Sequence, residues 1–237
     1  MIPLKDENPT RTTPYVVYAI IVLNFIVFLY NGTLRPNGDN PLAGFELVPR
    51  ALTMGAESGI STPIPAWMTI FTAMFMHANW LHIVGNMLYL WIFGNNIEDV
   101  LGHFRFLAFY LVAGVVATMA QVLTDPASTI SMVGASGAIA GVLGAYLVLF
   151  PKARVLTLIF VVFFIQVVAL PAYVVLGVWI LLDLLNSLQA AGAAQGSVGG
   201  VAYLAHVGGF AAGIVMILLC GGRRLLRRNW YTHSEYW

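Results

Sequence analysis

Six apolar runs, almost bare of charge, limit what this chain can fold into. They cover roughly Tyr15–Tyr30, Asn79–Gly94, Phe104–Leu123, Ser136–Phe150, Pro171–Leu188 and Tyr203–Leu219. Each approaches the ~20 residues a helix needs to cross ~30 Å of hydrocarbon. Only 9% of the 237 residues are charged, against about 25% in an average soluble domain. Such a chain cannot coat a globule with polar surface, so most of it must face lipid or another helix. A net charge of +1 gives no basis for nucleic-acid binding, and the single cysteine, Cys220, excludes an internal disulfide and a cysteine-rich metal site. No small-residue cleavage site follows the first run, so no cleavable signal peptide is expected.

Charge orients the runs. With the N-terminus inside, Lys5, Arg11, Arg105, Lys152, Arg154, Arg223, Arg224, Arg227 and Arg228 are cytoplasmic, and only Arg35 and Arg50 of the eleven Lys and Arg residues lie outside. The expectation is an all-α membrane protein of six spans with both ends cytoplasmic. Residues 1–14 form an N-terminal tail, 15–220 the membrane domain and 221–237 a basic C-terminal tail. Val155–Ala169 is apolar and β-branched, yet a seventh span would put the terminal arginines outside. It is expected to dip into the inner leaflet as a loop or strand-like segment, with Pro171 starting span five. The loop from Asn31 to Ala78 mixes prolines with Phe45, Leu47, Leu52 and Trp67, which suits a structured loop in the outer interface. Asn31-Gly32-Thr33 is a formal glycosylation triplet at a span end.

Polar residues inside spans are costly, which makes each a functional candidate. Span two carries His82 and Asn86, span four opens with Ser136, span five carries Asp183 and span six carries His206. At ~1.5 Å per residue, His82 lies ~18 Å above its cytoplasmic end, Asn86 ~12 Å, Ser136 ~21 Å and His206 ~20 Å. Four polar residues thus share one layer below the outer surface. His82 and Asn86, four apart, share a helix face, whereas His77 is turned ~140° away and belongs at the helix mouth. Taken alone, the first pair also suits an interhelical clamp, and Ser136 also suits a helix N-cap.

Span four is short, about 22 Å at the usual rise, and Pro151 ends it. Its start must sit inside the bilayer, with Ser128–Ala135 descending to meet it. Irregular backbone at that depth lines a wet cavity or packs in protein. Gly134, Ala135 and Gly137 around the serine permit a tight turn and close approach of a substrate backbone, and free N–H groups at the helix start could form an oxyanion hole. Gly137 and Gly141 on span four, and Gly209 and Gly213 on span six, form small-residue seams that let backbones approach closely. That would bring His206 to Ser136.

Gly134-Ala135-Ser136-Gly137, Ala205-His206-Val207-Gly208-Gly209 and the span-two set His77, His82 and Asn86 resemble the rhomboid family of intramembrane serine proteases. The similarity runs from about Phe45 to about Gly213. The resemblance implies a six-transmembrane-helix bundle with a shortened central fourth helix and an outward-opening Ser136–His206 dyad. It also implies a multi-pass protein, expected in a bacterial inner membrane, acting on transmembrane protein substrates. No cofactor or metal is expected, and nothing sets an oligomeric state. Some members carry an aromatic residue four after the serine; here that position is Ala140, so another residue must hold His206. A Trp-Arg pair found in the first loop of some members is missing.

The chemistry follows from these roles. Ser136 attacks a carbonyl, His206 takes its proton and returns it to the leaving amine, and His82, Asn86 and the Ser136 N–H hold the oxyanion. Asp183, the one carboxylate within a span, could orient His206, pair with a loop donor or snorkel outward; the last two are favoured, leaving a dyad. Glu98, Asp99 and Arg105 are expected to form a structural ion-pair cluster, and the loop Gln189–Gly200 a lid or plain linker. Substrate segments should contain small or helix-breaking residues near their outer end. The main alternative is a non-catalytic rhomboid-like protein that binds membrane helices. A transporter would show paired broken helices, and a metalloprotease would need His-Glu-x-x-His; neither pattern is present.

Overall fold

A computed structural model describes residues 1–32, 40–161, 164–192 and 202–230. All six apolar runs are helical. The first is α1 (Tyr15–Gly32). The loop after it carries α2 (Pro49–Met54) and α3 (Thr69–Thr72). The second run is α4 (Trp80–Tyr89), which passes through a π-helical turn, Leu90–Gly94, into α5 (Asn95–Leu101). Asn79 starts α4 because its Oδ1 accepts the His82 N–H at 2.9 Å, the usual satisfaction of an orphan first-turn donor. Gly102, at φ +78°, breaks the chain between α5 and α6 (His103–Val122). Then come α7 (Ser136–Leu149), α8 (Ala172–Gly192), α9 (Tyr203–Leu219) and α10 (Gly222–Trp230). α1, α6 and the Ala172–Gln189 part of α8 are long and apolar enough to cross a membrane; α7 and α9 are shorter apolar helices.

The all-α expectation needs one correction. Strands β1 (Ile2–Asp6), β2 (Arg154–Val161) and β3 (Phe164–Pro171) form an antiparallel sheet in the order β1-β2-β3. Val155 pairs with Leu170 across the hairpin and with Asp6 at the other edge. Of the two forms expected for the β-branched run, loop or strand-like segment, the second holds: it is a pair of antiparallel strands, and Pro171 ends β3 instead of opening the next helix. The N-terminal segment supplies the hairpin's third strand. Asp6, buried, accepts a 2.7 Å hydrogen bond from the Tyr146 hydroxyl of α7, tying the sheet to the bundle.

The core sits where α5, α6 and α7 meet, around Phe93, Phe106, Tyr110, Leu143 and Tyr146, all buried. The expected Glu98–Asp99–Arg105 cluster takes a different form. Glu98 is fully buried, and its carboxylate accepts the N–H groups of Val16 and Val17 at 2.9 and 2.8 Å, capping the positive end of α1. His103 is its ring partner. Asp99 accepts the Thr12 N–H and hydroxyl at 3.0 and 2.6 Å and pairs with Arg11. Arg105 is exposed. His103, two positions before Arg105, takes the expected partner's place, because the first turn of α6 sets its ring beside Glu98 and Tyr15 of α1.

Close helix contacts follow the expected glycines. A Cβ on Gly213 would lie 1.9 Å from the Gly141 carbonyl oxygen, and one on Gly209 would lie 2.1 Å from that of Gly137. Only glycine lets α7 and α9 approach so closely. A third stripe lies on α6: Ala113, Ala117 and Ala120 face Gly141, Gly137 and Gly208, where added Cβ atoms would lie 2.4–2.6 Å away. Alanine is common in apolar helices, so its spacing gave no distinct signal.

Candidate active site

Ser136 opens α7, where the first N–H groups have no partner within the helix. The backbone leading to it is irregular but anchored. Met132 and Leu47 exchange N–H to carbonyl bonds of 2.7 and 3.2 Å, and the Gly134 N–H donates to Ala73 at 2.9 Å. The expected structured outer loop thus braces the strand of chain before the serine, with Leu47 buried in a small apolar cluster beside Ile70 and Met74. Gly134 adopts φ +128°, and a Cβ there would lie 2.8 Å from His82 Nε2 and 3.6 Å from Asn86 Nδ2. Glycine is required on both counts: the backbone conformation is one L side chains rarely adopt, and the polar face of α4 lies directly against it.

His206, on the first turn of α9, faces Ser136 at 2.7 Å from Nε2 to Oγ. Seventy residues separate the two in the chain; the paired glycines of α7 and α9 bring them together. Asp183 departs from expectation. It neither snorkels nor pairs with a loop group: its Oδ2 lies 2.9 Å from His206 Nδ1. The two side chains are only 13% and 12% exposed, so solvent screens this contact little. An ionised carboxylate can only accept. With Nδ1 facing that acceptor, Nε2 is the ring nitrogen that faces the Ser136 hydroxyl.

The histidine ring also has an aromatic neighbour. Trp179 of α8 lies 5.7 Å from it, centroid to centroid, at 34°. Ala140 is fully buried in α7 and offers only a methyl group. The residue that flanks His206 therefore comes from α8, and no short-range pattern could have identified it.

His77 sits at the mouth of α4, as expected, but is not turned away from His82. It precedes the Asn79 cap and lies outside α4, so its angle on a helical wheel has no meaning. Its ring is buried, meets His82 edge-on at 5.0 Å, and its Nε2 accepts the Asn86 amide at 2.9 Å. Asn86 is thereby fixed next to Gly134. A cavity of about 40 Å³ adjoins the serine, lined among others by Met74, Gly114, Ala117, Gly134, Gly137 and Ala205. Ala135 is fully buried and does not line it. Among the described residues no group of three His, Cys, Asp or Glu side chains is arranged to hold a metal ion. Residues 193–200 of the expected lid, and Thr33 of the glycosylation triplet, lie outside the described residues.

An alcohol, an imidazole and a carboxylate stand in a row, with amide and imidazole donors on the facing helix. This arrangement can deprotonate the alcohol and stabilise an oxyanion beside it. A family model described as Rhomboid domain matches residues 65–223, which include every residue of the cluster. Rhomboid-like protein 11, chloroplastic, of Arabidopsis thaliana is 32% identical over 224 residues, covering 91% of this chain and 69% of that protein. Rhomboid protein 1, mitochondrial, of Saccharomyces cerevisiae is 30% identical over 62% of this chain and 40% of its own length. Rhomboid protease GluP of Bacillus subtilis is 30% identical over 60% of this chain and 25% of its own length. The chain thus spans under half the length of the latter two relatives. Their names point to chloroplast and mitochondrion as well as to a bacterium, which leaves the expected bacterial inner membrane without support beyond membrane residence itself. The chain belongs to the rhomboid family.

Proposed function

We propose that this protein is an intramembrane serine endopeptidase that cleaves transmembrane segments of other membrane proteins near the outer face of the bilayer. The 2.7 Å hydrogen bond from Ser136 to His206 carries the reading. Residues 15–220 form the membrane domain, with six spans and a shortened fourth; residues 1–14 and 221–237 are cytoplasmic. The serine hydroxyl passes its proton to His206 Nε2 as Oγ bonds to the substrate carbonyl carbon. His206 returns that proton to the leaving amine, and water releases the acyl-enzyme. His82, the Asn86 amide and the Ser136 N–H hold the oxyanion, each donor worth ~2.7–4 kcal/mol. His77 holds Asn86 in place for this task. The 40 Å³ cavity beside Ser136 suits a small substrate side chain, and a substrate helix must unwind there to free its carbonyl.

The test is cleavage of a model transmembrane substrate by purified protein in detergent. Ser136→Ala and His206→Ala should each lose more than about 10³-fold in kcat, and a fluorophosphonate should label wild type but not Ser136→Ala. Unchanged cleavage by Ser136→Ala ends the serine-protease reading.

A further inference from the structure

A base of this kind needs its imidazole held in one orientation and one tautomer, and it needs a counter-charge when it takes the serine proton. Within α7 nothing supplies these. One turn past Ser136 stands Ala140, too small to touch the ring. α8 supplies both. Trp179 flanks the ring at 5.7 Å, and Asp183, four residues on and so on the same helix face, meets Nδ1 at 2.9 Å. The two ring nitrogens are therefore divided between different tasks: Nε2 faces Ser136 and Nδ1 faces the carboxylate.

We propose that Asp183 is a positioning residue that turns the Ser136–His206 pair into a working triad, with Trp179 bracing the ring. This rests on the serine-protease reading above. When Oγ bonds to the carbonyl carbon, its proton moves to Nε2 and an imidazolium forms. Asp183 stays ionised and takes no proton; its charge offsets the new cation across the Nδ1–H bond. When the C–N bond breaks, the proton leaves Nε2 for the amine and the imidazole is neutral again. In a site shielded from water such a counter-charge matters more than it would at a wet surface. A carboxylate in a membrane span is also costly, and a pair that merely joined α8 to α9 would not need to engage the one imidazole that faces the serine.

The experiment uses the full-length protein in detergent with a model transmembrane substrate and compares wild type, Asp183→Asn, Asp183→Glu, Ser136→Ala and His206→Ala. Asp183→Asn should lower kcat about 10²–10⁴-fold, as loss of the acid does in other serine triads, with KM within about threefold of wild type. Asp183→Glu, which keeps the charge, should recover at least tenfold over Asp183→Asn. In ¹⁵N spectra of histidine-labelled protein, the ring that disappears in His206→Ala should move from the Nδ1–H toward the Nε2–H tautomer in Asp183→Asn. If Asp183→Asn keeps kcat within threefold while Ser136→Ala and His206→Ala are inactive, the triad is overturned and the protease reading stands. If Asp183→Asn loses activity with no change in that tautomer, and Asp183→Glu fails to recover it, Asp183 is a structural tie and the triad is likewise overturned. If Ser136→Ala stays active, the protease reading itself falls.

Discussion

Gly213→Ala measures how far the site depends on the close approach of two helices. The added Cβ would lie 1.9 Å from the Gly141 carbonyl oxygen, 2.5 Å from its carbon and 2.7 Å from its Cα. All three atoms are backbone, so no side chain can swing away. A carbon settles no closer than ~3.3 Å to a carbonyl oxygen, which requires a separation of ~1.4 Å along that contact. His206 lies seven residues up the same helix, ~10 Å away. If α9 moves as a rod, the 2.7 Å bond to Ser136 opens to ~4 Å, beyond hydrogen-bond reach. A misplacement of that size costs ~10²-fold in rate, and overpacking costs about 1–3 kcal/mol in stability. The assay is kcat on a transmembrane substrate together with the rate of fluorophosphonate labelling, both at a temperature where the variant is folded. Gly177→Ala is the control, since a Cβ there meets nothing within 4 Å. Should Gly213→Ala cleave within threefold of wild type, the seam can relax without disturbing the pair, and the link drawn here between glycine spacing and catalysis is refuted.

Two further outcomes concern the end of the bundle that carries the sheet. Glu98→Ala removes the acceptor of two α1 N–H groups and the partner of His103, so it should cost roughly 2–3 kcal/mol, read as a lower melting temperature. Glu98→Gln, which keeps one acceptor oxygen, should cost less, and a melting point unchanged in Glu98→Ala would refute the cap. Burial raises the Asp6 carboxyl from its ordinary 3.8 to about 6, against the lowering effect of the Tyr146 hydrogen bond. The folded chain thus holds this proton more tightly than the unfolded one. The group's contribution to stability is fully present below about pH 3.8 and is lost as pH rises through 6. At 1.36 kcal/mol per pKa unit the swing is roughly 3 kcal/mol. Melting curves across that window should show the slope in wild type and not in Asp6→Asn; an identical slope in both would rule this origin out.

Much of the site was legible before any coordinates. Ser136, His206, His82 and Asn86 stand out because ionisable and strongly polar groups are rare in apolar runs, and their shared depth follows from helical rise. The glycine pairs of α7 and α9 were legible too, since small residues four apart in an apolar helix mean close packing. His77 was rightly placed at the helix mouth, but its direction was misread because it lies ahead of the helix cap. Asp183 was misread because its depth can be counted from the sequence but its direction around the helix cannot.

That difference is the general one. Composition and periodicity determine where helices run, roughly where they end and how deep each polar group lies, since these depend only on residues near in the chain. Rotation about each helix axis, and the neighbour it selects, are decided by packing. In a soluble protein an apolar stripe marks the inward face. In a lipid-facing bundle both faces are apolar, so no stripe tells which way Asp183, Trp179 or Ala117 points. The same holds for the sheet: β1 and β2 lie about 150 residues apart in the chain, and no local pattern in either strand names the other as its partner.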